Sequence, residues 1–295
     1  MNLPDYLNKS EVEKKKLFYS SIKRIVFENF NYCNRTCSFC INSIIDRRSN
    51  KIALSDSNFN KLINELSINE FSNTIAIGRY SEPLAMSITF ERIRLIRQYL
   101  SKSHILINTN GDYLNRRVLK ELNDCGLDEL KIMVYLPKNE SYNKANALKY
   151  SLAKISELGL NWELITEDES ILYFKIIFKG NLKISVRCEN YSNPNHGCDR
   201  GGSLETLSGS KRNAPCFSPY FEVNIDYNGN VLPCCNMVSD YTPHKIYILG
   251  NISKDSLYQI YFNQPSQWFR DTLKDPNLFQ IPCLYCSYNF PKQSL

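Results

Sequence analysis

Three cysteines stand close together near the start of the sequence, in a spacing that suits an iron–sulfur cluster. Cys33, Cys37 and Cys40 form a C-x3-C-x2-C pattern directly after an apolar run, residues 22–30, that predicts a β-strand. Thiolates are the usual ligands of such clusters, and four of them complete an ordinary [4Fe–4S] cubane. Three thiolates leave one iron open to a non-protein ligand, so such a cluster can do chemistry. Structural zinc and buried thiols are the alternatives, although zinc prefers paired C-x2-4-C knuckles that supply four ligands.

A second group of cysteines lies in the C-terminal third of the chain. Its members are Cys216, Cys234, Cys235, Cys283 and Cys286. The last two form a C-x2-C pair, and residues 221–225 and 231–232 predict a β-hairpin that precedes it. A hairpin folded across the pair would bring four thiolates together, which suits either a fully ligated [4Fe–4S] cluster or a structural zinc ion. The spacing leaves open whether Cys234 or Cys235 joins that set.

The elements that must position the first three cysteines follow a regular order. From residue 22 to Gly159, the hydrophobic pattern predicts the order β-α-β-α-β-α-β-α, with Ser55 or Asp56 capping the first of these helices. Such alternation indicates a parallel sheet covered by helices. In barrels of this kind, the loops at the carboxyl ends of the strands build the active site. Three polar loops are predicted at these ends: residues 31–40, 78–84 and 108–111.

The pattern changes after Gly159. Residues 160–165, 171–178 and 182–188 predict three more strands, with Lys179-Gly180-Asn181 as a tight turn between the last two. This arrangement leaves too little chain for the helices of a complete barrel. The sequence therefore predicts a truncated, open (β/α) barrel with an added hairpin.

The cysteine spacing, its place after the first strand and the aromatic Phe39 before the third cysteine resemble the radical SAM superfamily. The resemblance implies that Cys33, Cys37 and Cys40 hold a [4Fe–4S] cluster whose open iron binds the amino and carboxylate groups of S-adenosylmethionine. Reductive cleavage of that cofactor would give a 5′-deoxyadenosyl radical, which abstracts hydrogen from unactivated carbon. The resemblance also places the backbone at Phe39 near the adenine.

Two of the polar loops resemble cofactor-binding loops of the same superfamily. Gly78 to Pro83 is similar to the glycine-rich G-x-G-E-P loop, whose backbone holds the cofactor's amino group, although Ser81 replaces the glycine before Glu-Pro. A positive φ at this serine would be strained. Residues 108–111 are similar to the T-N-G loop after the third strand. The alternatives are an ordinary βα loop for the first segment and a common Asn-Gly turn for the second. The resemblance thus assigns to cofactor binding Phe39, Gly78, Ser81, Glu82, Asn108, Thr109 and Asn110.

The C-terminal cysteines resemble the SPASM/twitch extension of radical SAM enzymes. Their number fits the shorter twitch form, which holds one auxiliary [4Fe–4S] cluster. The resemblance implies as its ligands Cys216, Cys234, Cys283 and Cys286. Cys235 would then be a spare thiol beside the cluster, able to return a hydrogen atom to a substrate radical and so invert a carbon centre. A buried packing cysteine is the alternative role for Cys235.

A glycine-rich loop between the two regions carries two further candidates. Cys198 is a rival hydrogen donor, and Arg200 could hold a carboxylate or phosphate or act on a substrate hydroxyl proton. A solvated linker arginine is the alternative for Arg200. On the predicted hairpin, Glu222 and Asp226 are expected to be surface carboxylates. The three histidines do not cluster in the sequence, so no histidine metal site is expected.

Composition narrows the partners and the compartment. The chain of 295 residues has a formal net charge of +6 with dispersed Lys and Arg, which gives no case for nucleic acid. No apolar run reaches the roughly 20 residues of a membrane span, and the N-terminus lacks a signal-peptide pattern. Eleven cysteines without such a signal indicate metal ligation in a reducing cytoplasm. Cys125 and Cys188 are expected to be small, buried packing residues.

These patterns predict an α/β fold, a truncated (partial) TIM-like (β/α) barrel with a small C-terminal twitch/SPASM-like cluster-binding domain. The expected divisions are an N-terminal extension with a short helix over residues 1–20, the barrel over 21–195 and the auxiliary-cluster domain over 196–295. The expected cofactors are S-adenosylmethionine and two [4Fe–4S] clusters. An electron donor such as flavodoxin or ferredoxin is expected as a partner.

The predicted activity is hydrogen abstraction from a carbon of a polar substrate. Redox-neutral epimerisation of a sugar, an aminoglycoside-type compound or a peptide is the first interpretation, with Cys235 as hydrogen donor. Dehydrogenation of a sugar or cyclitol alcohol is the main alternative; there the auxiliary cluster accepts an electron and Arg200 assists deprotonation. Radical peptide modification and a zinc- or cluster-bearing binding module are the remaining alternatives.

Overall fold

The computed structural model describes residues 9–138, 140–191, 193, 198–204 and 210–288. The strands are β1 (Arg24–Phe27), β2 (Thr74–Ile77), β3 (His104–Thr109), β4 (Glu129–Met133), β5 (Asn161–Glu167), β6 (Ile171–Ile177), β7 (Lys183–Glu189), β8 (Glu222–Ile225), β9 (Asn230–Leu232) and β10 (Gly250–Asn251). The helices are α1 (Glu11–Ser21), α2 (Asp56–Ile68), α3 (Ile88–Tyr99), α4 (Arg116–Asp124), α5 (Lys144–Leu158), α6 (Ser218–Phe221), α7 (Leu257–Phe262) and α8 (Gln264–Thr272). Within these ranges, none of the helices is both long and apolar enough to cross a membrane.

The ten strands of the described chain form one sheet, in the order β10-β9-β8-β1-β2-β3-β4-β7-β6-β5. The neighbouring strands from β8 through β7 pair in parallel. At the two ends of the sheet, β5 and β6 on one side and β9 and β10 on the other pair antiparallel. The predicted parallel core and the predicted turn at residues 179–181 are thus confirmed.

Local signals in the sequence set the helix boundaries. The Ser55 hydroxyl accepts a hydrogen bond from the backbone N–H of Asn58 at 3.2 Å, so Ser55, and not the alternative Asp56, caps α2. α5 ends at Gly159, whose φ of 57° is readily adopted only by glycine. Cys125 and Cys188 lie in the hydrophobic core, as predicted. The buried face of α2 carries Phe59, Leu62, Ile63 and Leu66.

The C-terminal region extends the barrel sheet. β8 pairs in parallel with β1, from Arg24 opposite Glu222 to Phe27 opposite Ile225. β8 and β9 form the predicted hairpin. The predicted boundary between residues 195 and 196 lies outside the described residues and stays a prediction.

The helix predicted in the N-terminal extension packs onto the rest of the chain. Phe18 of α1 is fully buried, and its ring centroid lies 5.2 Å from that of Tyr261 on α7. The Tyr19 hydroxyl donates a hydrogen bond to Glu65 of α2 at 2.5 Å. α1 therefore ties the beginning of the described chain to its C-terminal part.

The expectation that Glu222 and Asp226 are surface carboxylates is wrong, because both are buried. Asp226 accepts hydrogen bonds from the backbone N–H groups of Asn228 at 2.8 Å and Asn230 at 2.9 Å, which fix the turn between β8 and β9. A buried carboxylate needs such partners to offset its lost hydration. Glu222 instead faces Arg24 of the neighbouring strand.

Candidate active site

A cavity of about 290 Å³ gathers the predicted site residues of both halves of the chain. It lies over the interior of the sheet, where Val26, Ala76 and Leu106 form an apolar floor. All three cysteines of the first motif line it: Cys33, Cys37 and Cys40. So do all the predicted cofactor-binding residues, namely Phe39, Gly78, Ser81, Glu82, Asn108, Thr109 and Asn110, together with Arg200 and Cys235. Which of these residues touch a cofactor stays a prediction.

Glu82 joins two of the polar loops at this cavity. Its carboxylate accepts hydrogen bonds from the Thr109 hydroxyl at 2.6 Å and from the backbone N–H of Asn110 at 2.7 Å. It also accepts one from the backbone N–H of Leu84 at 3.1 Å. Burial raises the pKa of Glu82, while these three donors oppose that shift. The loop of residues 78–84 and the loop of residues 108–111 are thus held together by Glu82.

The conformation of the first of these loops explains its glycine and its serine. Gly78 has a φ of 99°, and a Cβ there would lie 2.6 Å from Cγ of Pro83, so a side chain is excluded. Ser81 is not among the described non-glycine residues with positive φ, so the serine in place of the usual glycine creates no backbone strain. The departure from the family pattern is therefore compatible with the loop geometry.

Burial protects the three thiols of the first motif. It raises the pKa of Cys33 to about 11 and that of Cys37 to about 12, so both are neutral thiols until a metal displaces the proton. The backbone N–H of Cys33 donates to the carbonyl of Arg47 at 3.0 Å. Arg47 is itself buried and paired with Glu28 and Asp240, each at 2.7 Å. This ion network braces the loop that carries the cysteines.

An aromatic wall separates the cavity from a second cavity of about 460 Å³. Phe39 stacks on Tyr191 with ring centroids 4.0 Å apart and planes inclined by 11°. Tyr135 packs against the same phenylalanine at 5.0 Å. These three rings line both cavities, so the aromatic residue of the cysteine motif has a fixed position.

The C-terminal cysteines meet around a separate, smaller cavity of about 20 Å³. The four predicted ligands all line it: Cys216, Cys234, Cys283 and Cys286. Cys235 instead lines the larger cavity, so the adjacent residues Cys234 and Cys235 present their thiols to different cavities. Burial raises the pKa of Cys235 to about 12 and also raises that of Cys234. This arrangement favours Cys234 over Cys235 as the ligand, an assignment that stays a prediction.

Both cysteine sets fit clusters. Within the described ranges, no group of three or more His, Cys, Asp or Glu side chains is arranged to hold a single metal ion. A cluster spreads its thiolates over separate iron atoms, which suits thiols distributed around a cavity. His244 forms hydrogen bonds with the carbonyl of Gly201 at 2.9 Å and with the backbone N–H of Val238 at 3.2 Å, so its role is structural.

Arg200 connects the cysteine motif with the C-terminal region. Its Nε donates to the carbonyl of Phe39 at 3.1 Å, and its Nη1 donates to Oδ1 of Asn236 at 3.3 Å. Burial opposes its charge, but Tyr80, Cys198 and Cys40 outweigh that effect and raise the pKa of Arg200. The guanidinium therefore stays protonated and can donate hydrogen bonds into the cavity but accept no proton.

Some charged residues of the cavity were not predicted as site residues from the sequence, and two of them form an ion pair. Arg24 and Glu222 both line it, and Nε of Arg24 donates to Oε2 of Glu222 at 2.5 Å. Asn224 donates to the other carboxylate oxygen at 2.8 Å, and the Tyr288 hydroxyl accepts from Arg24 at 3.1 Å. Only the alternation of side chains along β8 could have indicated that Glu222 faces the barrel interior. A polar pair at this place can bind hydroxyl or amino groups of a substrate.

Comparisons with known proteins agree with the two cysteine sets. Residues 29–158 match the family model of the radical SAM superfamily, and residues 216–287 match SPASM, an iron–sulfur cluster-binding domain. The second match favours an iron–sulfur cluster over structural zinc at the C-terminal cysteines. An S-adenosyl-L-methionine-dependent 2-deoxy-scyllo-inosamine dehydrogenase from Niallia circulans is 24% identical over 244 residues, 82% of this chain and 83% of the relative.

Solved structures agree with the fold. A crystal structure of BtrN in complex with AdoMet and 2-DOIA matches 87% of this chain and 88% of its own, with a TM-score of 0.61 and 21% sequence identity. BtrN in an open conformation matches 86% of each chain, with a TM-score of 0.55 and 20% identity. These likenesses confirm the predicted fold class, the partial barrel followed by a cluster-binding region.

Proposed function

Because the chain belongs to the radical SAM superfamily and carries a SPASM-type iron–sulfur domain, we propose that it dehydrogenates an alcohol of a cyclitol or sugar. Family membership confirms that the chain is an iron–sulfur enzyme, not a binding module. Its cofactors are S-adenosylmethionine, the cluster that binds it and an auxiliary cluster. When bound, these groups supply hydrogen-atom abstraction from carbon and a nearby one-electron acceptor.

The observation that carries the proposal is that two adjacent residues line the two cysteine-lined cavities. Cys234 faces the small cavity and Cys235 the large one, so one peptide bond separates the two sites. Oxidation of an alcohol to a carbonyl removes a hydrogen atom from carbon, a proton from the hydroxyl and one further electron. Removal of this further electron requires an electron acceptor beside the substrate cavity. The name of the relative from Niallia circulans supports the same reaction.

The chain's own residues would bind and polarise the substrate. We assign cluster ligation to the first three cysteines and to Cys216, Cys234, Cys283 and Cys286. Arg200 is a permanent cation at the cavity, so it would stabilise the negative charge that develops on the substrate oxygen as the hydroxyl proton leaves. The Arg24–Glu222 pair would bind neighbouring hydroxyl or amino groups. These contacts would hold one carbon–hydrogen bond towards the cysteine motif.

Epimerisation, the first interpretation of the sequence, requires a hydrogen donor instead of an electron acceptor. Cys235 lines the large cavity and is a neutral thiol, so it stays available for that role. The comparisons favour dehydrogenation, because the matched relative is a dehydrogenase. The two reactions differ in their products and are separable in one experiment.

The test uses anaerobically purified enzyme with a chemical reductant, S-adenosylmethionine and a panel of polyols that includes 2-deoxy-scyllo-inosamine and inositol, in deuterated water. We expect one 5′-deoxyadenosine for each carbonyl product, and carbonyl formation that persists in Cys235→Ala. A product of unchanged oxidation state with one solvent deuterium on carbon would contradict dehydrogenation. If Cys235→Ala then cleaved the cofactor without forming product, epimerisation would replace dehydrogenation as the proposed reaction. We further propose that flavodoxin or ferredoxin is the physiological reductant.

A further inference from the structure

A fifth thiol lies against one of the four cysteines that line the small C-terminal cavity. Cys198 is 8% exposed, and its Sγ atom lies 3.9 Å from Sγ of Cys286. Cys198 therefore sits beside the second cysteine of the C-x2-C pair, although it belongs to a loop almost ninety residues earlier in the chain.

The sulfur–sulfur distance indicates what this thiol can do. Two thiolates on one tetrahedral metal atom, each bonded at about 2.3 Å, lie about 3.8 Å apart. The 3.9 Å between Cys198 and Cys286 matches this value. Each iron of a four-cysteine cluster takes a single thiolate, so these two thiols compete for one position. We propose that Cys198 is an alternative ligand of the auxiliary cluster, able to bind the iron otherwise bound by Cys286.

The exchange would balance without any oxidant or reductant. Cys198 would lose its proton and form an iron–sulfur bond, while Cys286 would release the iron and take up a proton. Asn236 Nδ2 donates a hydrogen bond to Sγ of Cys286 at 3.6 Å, and Cys198 donates a weak one to Asp199 at 3.8 Å. Each sulfur thus has a polar neighbour that holds it near the shared position.

The exchange would also reach the substrate cavity. Cys198 precedes Arg200 by two residues, and the Asn236 side chain that contacts Cys286 accepts a hydrogen bond from Arg200 at 3.3 Å. Both competing thiols are therefore connected to the cation that lines the substrate cavity. The choice of ligand would alter the position of Arg200 relative to the substrate.

Iron and acid-labile sulfide content of anaerobically reconstituted protein tests this proposal. Wild type should hold about eight iron atoms per chain, from two four-iron clusters. Cys198→Ala should also hold about eight, because Cys286 remains. Cys286→Ala and the isosteric Cys286→Ser should keep about eight, because Cys198 takes over. The double variant Cys198→Ala/Cys286→Ala should fall to about four.

Cys216→Ala is the matched control, because Cys286, and not Cys216, is the ligand whose sulfur lies 3.9 Å from that of Cys198. This variant should fall to about four iron atoms. The proposal would be overturned if the iron content of Cys286→Ser were as low as that of Cys216→Ala. It would also be overturned if the double variant kept about eight iron atoms. The four irons of the N-terminal cluster report folding in every variant. If Cys286→Ala fails to fold, Cys286→Ser decides the outcome. The electron paramagnetic resonance signal of the reduced auxiliary cluster should shift in Cys286→Ser and stay unchanged in Cys198→Ala.

Discussion

Replacing Glu222 by glutamine tests the part of the site that the structure adds to the sequence. The Glu222 side chain is 1% exposed and pairs with Arg24, which is 27% exposed. Glutamine keeps the shape but has one acceptor oxygen, whereas Glu222 uses both oxygens to receive Arg24 and Asn224. The variant therefore loses one charge-assisted hydrogen bond and turns an amide N–H towards a donor. A hydrogen bond to a charged group contributes about 1.5–3 kcal/mol.

We expect Glu222→Gln to lower the free energy of unfolding by about 2–3 kcal/mol. The loss is no larger because Arg24 is partly exposed, so water can replace part of its lost interaction with the carboxylate. The assay is the midpoint of urea unfolding, measured for the anaerobic holoenzyme of wild type and variant. The midpoints are compared with the same dependence of unfolding free energy on urea concentration for both proteins. The same variant should raise KM for the polyol more than it lowers kcat. Glu163→Gln is the matched control, because Glu163 forms an exposed pair with Lys175 at 3.4 Å. Such a pair contributes about 0–1 kcal/mol. A loss in Glu222→Gln no larger than in this control would refute the reasoning.

Two further predictions concern Gly78, in the loop of residues 78–84, and Arg200, which lines the large cavity. Gly78→Ala should weaken S-adenosylmethionine binding about tenfold, because the positive φ and the clash with Pro83 cost about 1–3 kcal/mol. Calorimetric titration should show the weaker binding at unchanged iron content. An affinity equal to that of the wild type would contradict the prediction. Arg200→Lys keeps the charge but loses the forked geometry that reaches both Phe39 and Asn236. It should lower kcat about tenfold or more at unchanged iron content, as expected for a lost charge-stabilising donor, and a wild-type kcat would exclude the assigned role.

Much of the fold followed from signals that act over a few residues. The end of the helical pattern at Gly159 and the turn at residues 179–181 depend on local backbone chemistry, and both were predicted correctly. The cap of α2 is also local, but the sequence narrowed it only to Ser55 or Asp56, and the structure decides for Ser55. The spacing of Cys33, Cys37 and Cys40 is equally local. These features are predictable because the residues that interact are neighbours in the sequence.

The remainder of the site depends on contacts between distant parts of the chain. Glu222 was expected at the surface because no local pattern shows that β8 pairs with β1. The adjacent Cys234 and Cys235 lie in a bend and turn just after β9. No local pattern in the sequence shows which of the two lines the small cavity. The approach of Cys198 to Cys286 likewise joins a loop to a distant cysteine pair.

The parallel pairing of β1 with β8 has a consequence for biosynthesis. β1 is among the first strands to be synthesised, yet one of its edges has no partner until residues 222–225 have been translated. An uncovered strand edge invites pairing with other chains, and contacts so far apart in sequence form slowly. The nascent protein therefore carries an aggregation-prone edge through most of its synthesis. Because Arg24 and Glu222 come from these two strands, the cavity that they line is complete only after this late step closes the sheet.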